Sequence, residues 1–131
     1  MNIVIWILQI LLALAFLAHG WLFLSPPAEI LDQMNASLAR WFTLSLGVAE
    51  VLAPVGLILP GITRILPRLL TWAAVGIMIV TASATVYHVG RGEMSSAAIT
   101  LVLFGMATFV AYIRYRVMPI LAARTAQRAA H

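Results

Sequence analysis

The chain contains no cysteine and no lysine, and only four acids, Glu29, Asp32, Glu50 and Glu93, stand among its 131 residues. Without cysteine it carries no thiolate zinc site, iron–sulfur cluster, disulfide scaffold or thiol chemistry of its own. Charged residues make up 9% of the chain against 63% hydrophobic ones, and the mean hydropathy is +1.04. That balance leaves too little polar surface to cover a soluble core, so the class is an integral membrane protein. All eight basic residues are arginines, for a formal net charge of +4. They flank apolar runs and are not interleaved with aromatics, so they read as topology anchors and nucleic acid is not expected as a partner.

Met1 to Leu24 is apolar except for Asn2, Gln9 and His19, and a run of about 20 such residues crosses the hydrocarbon layer. A basic segment before it and a small-residue cleavage site after it are both missing, which favours an uncleaved span over a signal peptide. Ser25-Pro26-Pro27 ends the span, and the acidic, amphipathic stretch to Ala39 reads as a short interfacial helix or loop. A second span runs from Arg40 to Leu59, closed by Pro60-Gly61 as a turn. The third covers Ile65 to His88 and precedes the turn Gly90-Arg91-Gly92-Glu93. Ser95 and Ser96 are candidate caps for a fourth span that stays apolar through Ile113.

The expected fold is therefore all-α, an up-down four-helix transmembrane bundle over residues 1–118, followed by a basic tail over 119–131. Ala107 and Ala111, or Gly105 and its neighbours, are candidates for close helix packing. One side of the membrane receives Arg64, Arg68, Arg114, Arg116, Arg124 and Arg128, the other only Arg40 and Arg91. The positive-inside rule then puts both termini in the cytoplasm of a multi-pass protein of the inner (plasma) membrane.

Glu50 falls near the middle of the second span, about 13 Å from its outer end at a rise of 1.5 Å per residue. A charged carboxylate facing lipid there is costly, so it either carries a proton, pairs with a cation or faces a wetted cavity inside the bundle. Pro54 lacks the N–H that would bond the Glu50 carbonyl, which adds a second polar group at the same level. His19 and His88 approach the same outer leaflet. Thr43, Gly47, Glu50 and Pro54 share one face of the second span, and Thr81, Thr85 and His88 share one face of the third. The expectation is a polar lining of the outer half, with Glu50, His88 and His19 as candidate acid–base residues and Thr43, Gly47, Pro54, Thr81 and Thr85 around them. The competing reading makes Glu50 interhelical polar glue and the histidines interfacial. No HxxxH or ExxH spacing supports a metal, the two histidines do not suit axial haem ligation, and no phosphate loop or nucleophile elbow is present.

Several stretches in order resemble the DoxX-like family of small bacterial membrane proteins. They are Ala15-Phe16-Leu17-Ala18-His19-Gly20 leading to Leu24-Ser25-Pro26-Pro27, then Gly47-Val48-Ala49-Glu50-Val51-Leu52, Gly56-Leu57-Ile58-Leu59-Pro60-Gly61, and Val86-Tyr87-His88 before Arg91-Gly92-Glu93. Where relatives carry a lysine three residues beyond the first-span glycine, this chain has Phe23. The resemblance implies four membrane helices and an association with oxidoreductase assemblies, which brings a soluble oxidoreductase partner and a quinone, reached through that partner, into view. With no cysteine here, a sulfur redox step would belong to the partner. Three functions therefore stay open. The chain is the membrane subunit or anchor of an oxidoreductase assembly, a small enzyme doing acid–base chemistry on a lipophilic substrate, or a lipid-binding or transport protein. The small bundle also makes a homodimer an expectation for the transport reading.

Overall fold

The computed structural model describes residues 2–122, so Arg124 and Arg128 of the expected basic tail lie outside the described residues. Its order is α1 (Asn2–Leu24), α2 (Ala28–Ser37), α3 (Arg40–Thr63), α4 (Arg68–Gly90) and α5 (Met94–Tyr112), with a π-helical turn at Ile113–Val117. Four helical stretches are long and apolar enough to cross a membrane: α1, α3, α4, and α5 with its π-helical turn. The chain is thus a helical membrane bundle, and the Ala28–Ser37 stretch is the short extra helix, with no buried residue.

Each span buries a narrow stripe. On α3 it is Thr43, Gly47, Glu50, Pro54 and Leu57, and on α1 it is Ile5, Gln9, Leu12, Phe16 and Gly20. These steps of three and four residues are those of helices meshing along one seam. The opposite faces are covered by exposed Leu, Ile, Val and Trp, as expected where acyl chains replace water. α1 packs chiefly on α3 and α4 on α5, while α3 and α4 join the two pairs. Leu12, Phe16, Leu57, Leu70, Ile77 and Val110 form the core between them. Ala107 and Ala111 are buried there, whereas a side chain at Gly105 would meet nothing within 4 Å.

Two boundaries differ from expectation. Pro60 and Gly61 do not turn the chain: α3 continues to Thr63 and ends where Arg64 takes a left-handed conformation with φ 58°. A proline costs a membrane helix one backbone bond without stopping it when neighbouring helices enclose the site. Here Pro60 is buried, and Gly61 lies so close under Trp6 that an added Cβ would stand 2.7 Å from the indole. At the start of α5, Glu93 rather than Ser95 or Ser96 takes the N-cap position, after Gly92 at φ 74°.

Candidate functional site

α1 and α3 come closest where two glycines face each other. A Cβ on Gly20 would lie 2.9 Å from both the Gly47 carbonyl oxygen and the Glu50 Cβ, and a Cβ on Gly47 would lie 3.1 Å from the Gly20 carbonyl oxygen. Only glycine permits that approach, and it brings the side chain next to Gly20 within reach of the one a turn beyond Gly47. His19 and Glu50 meet as a result: the imidazole Nδ1 and Glu50 Oε2 are hydrogen-bonded at 2.6 Å. The carboxylate side chain is 3% exposed and the imidazole 54%, so the pair joins a buried oxygen to an open ring. Phe23 packs against that ring at a tilt of 55° with centroids 4.5 Å apart, which restricts its rotation. Among the described residues, Glu50 Oε1 accepts no hydrogen bond.

Beside this pair an open groove of about 310 Å³ runs between α3 and α4. Ala49, Leu52, Ala53 and Gly56 form its α3 wall, and Trp72, Ala73 and Gly76 face them from α4. Small residues hollow it out, for a Cβ on Gly56 would already touch the Ala73 Cβ at 3.0 Å. Phe16 closes the inner side, and Glu50 is the one ionisable group among its lining residues.

The other expected site residues are placed elsewhere. Thr43, Gly47 and Pro54 share the buried stripe with Glu50, but that stripe is the seam against α1, and the groove lies one step round the helix. Thr81 turns its hydroxyl back to the Ile77 carbonyl at 2.7 Å. Thr85 Oγ1 lies 2.8 Å from both the Thr81 carbonyl oxygen and Thr100 Oγ1, and the hydroxyl–hydroxyl contact ties α4 to α5. None of the five lines the groove. His88 bonds Glu93 Oε2 at 2.6 Å, not Glu50, and Arg91 Nε donates to Glu93 Oε1 at 2.8 Å. Arg91 first and His88 second hold the Glu93 carboxyl below the usual glutamate range. This second histidine closes a turn at the membrane surface. Among the described residues no cluster of three or more histidines or acids is arranged to hold a metal ion.

A polar group that sequence reasoning treated as an interface anchor is buried. Arg114 is 6% exposed and donates through Nε to Gln9 Oε1 at 2.8 Å, while Gln9 Nε2 donates to the Leu57 carbonyl at 2.9 Å. The signal for it was Gln9, a polar amide deep in an apolar span that needs a partner.

Four apolar spanning helices and a buried carboxylate bonded to imidazole define a multi-pass helical membrane protein with a polar pair in its wall. The chain belongs to the DoxX-like family, whose family model matches residues 7–110. No curated protein and no solved structure matches it.

Proposed function

We propose that the chain binds a lipophilic, hydrogen-bonding molecule in the α3–α4 groove and exchanges a proton with it through Glu50 and His19. One observation carries this reading: Glu50, buried and bonded to His19, is the ionisable group of an otherwise apolar groove open to the bilayer. Such a groove excludes water and takes its ligand sideways from lipid, and a carboxylate oxygen at its wall accepts a ligand O–H. The neutral imidazole with the carboxylate holds one proton fewer than the imidazolium with the carboxylate. The pair can therefore accept a proton from the ligand hydroxyl at Glu50 and return it through the exposed imidazole.

A hydroquinone fits these demands, having a flat apolar body and acidic hydroxyls. Within an oxidoreductase assembly the chain would then be the membrane subunit that seats the quinone and handles its proton, while electrons pass through a partner that carries the redox group. Both termini lie in the cytoplasm of an inner-membrane protein in this reading, which places His19 and Glu50 in the outer half.

Trp72 on the groove wall supplies the probe. A short-chain hydroquinone, kept reduced and titrated into reconstituted vesicles, is expected to quench tryptophan emission saturably. Trp72→Phe should remove most of the saturable component, Gly76→Leu should block it by filling the groove, and Glu50→Gln should weaken it about tenfold. Linear quenching that is the same in all four proteins would overturn the proposal.

A further inference from the structure

Where α1 begins and α5 finishes, at the end of the bundle away from Glu50, the guanidinium of Arg114 is held by neutral groups alone. Gln9 Nε2 donates to the Leu57 carbonyl at 2.9 Å, which turns Gln9 Oε1 to accept from Arg114 Nε at 2.8 Å. Nη1 donates to Asn2 Oδ1 at 3.2 Å, and the guanidinium carbon stands 5.3 Å from the centroid of the Trp6 ring. Nη2 is buried and has no hydrogen-bond partner. Among the described residues no carboxylate pairs with Arg114.

Arginine does not shed its proton to escape burial, so a buried guanidinium calls for a counter-charge. The π-helical turn Ile113–Val117 buries Arg114 while Arg116 stays exposed, and such turns often mark functional sites. Guanidinium forks match the oxygens of phosphate, and this end of the spans lies at the level of lipid headgroups. Asn2 accepts the longer of the two hydrogen bonds from the guanidinium and is exposed, so its displacement from Nη1 opens the fork to the outside.

We propose that Arg114, backed by Gln9 and Trp6 and gated by Asn2, is a binding site for a phosphate-type anion. A phospholipid headgroup and free phosphate present the same chemistry. The site is independent of the Glu50 groove and stands or falls separately from it.

The test uses delipidated full-length protein in neutral detergent. Its melting temperature is followed against short-chain phosphatidylglycerol in one arm and inorganic phosphate in the other, with chloride at matched ionic strength as reference. A saturable rise above the chloride reference is expected, and the arm in which it occurs names the source. Arg114→Gln should shift the half-saturation point at least about tenfold. Asn2→Asp supplies an internal carboxylate, and should raise the melting temperature while abolishing the anion response. That readout holds whether or not Arg114→Gln folds. No rise in either arm, or an undiminished response in Asn2→Asp, would overturn the site.

Discussion

Gly20 shows how much a single hydrogen atom decides in this bundle. A methyl group there would press on the Gly47 carbonyl oxygen and the Glu50 Cβ, both at 2.9 Å. Overpacking of that kind costs about 1–3 kcal/mol. Gly20→Ala should therefore destabilise the protein by that amount in a denaturant titration in micelles, and should loosen the His19–Glu50 bond. Gly105→Ala is the matched control, since nothing lies within 4 Å of its Cβ. It should be neutral or stabilise by up to about 1 kcal/mol through helix propensity. At Glu93 the expectation concerns pH. Its carboxyl is held low in the folded turn by Arg91 and His88, so the stabilisation is present above the ordinary glutamate range and is lost as pH falls through the depressed value. Amide exchange in the Arg91–Glu93 turn, taken relative to the unstructured chain at the same pH, should accelerate on acidification below that range in the wild type. In Glu93→Gln this acceleration should be absent, and the same slope in both proteins would refute the assignment.

Elements end where their last carbonyls find partners. α1 stops at Leu24, and Arg40, the first residue of α3, donates to the carbonyls of Phe23 at 2.9 Å and Leu24 at 3.4 Å. A cation at a helix C-terminus is favoured by the helix dipole as well as by these bonds. Arg40→Gln should cost about 1 kcal/mol, visible as faster exchange in the last turn of α1 with the other spans unchanged. The lengths and order of the spans were legible because hydrophobic runs of this size have one solution in a bilayer. The end of α3 was not, because Pro60-Gly61 is turn chemistry in water and becomes helix only when Trp6 and Leu70 cover it. The need of Glu50 for a polar partner was legible from its depth alone. That His19 supplies it, while His88 turns to Glu93, depends on the Gly20–Gly47 crossing, and no single-chain pattern encodes which faces of two helices meet. The same limit hid the link from Gln9 to Arg114, 105 residues apart.

Across the whole molecule, four spans bring the start of α1 and the end of α5 to one side, as the Asn2–Arg114 bond requires. From the arginine count we propose that this side is cytoplasmic. A fluorescent reporter that matures only in the cytoplasm, fused to the C-terminus, is expected to glow, and a dark fusion with intact protein would reverse the topology. A chain so covered by exposed apolar side chains reads its surroundings through lipid. Because the α3–α4 groove opens sideways, the guest of the proposed function would be supplied by the membrane's own solute content. Saturation should then follow the mole fraction of guest per lipid. Diluting a vesicle suspension several-fold at constant guest-to-lipid ratio would leave a strongly partitioning guest in place, whereas adding empty vesicles would strip it out.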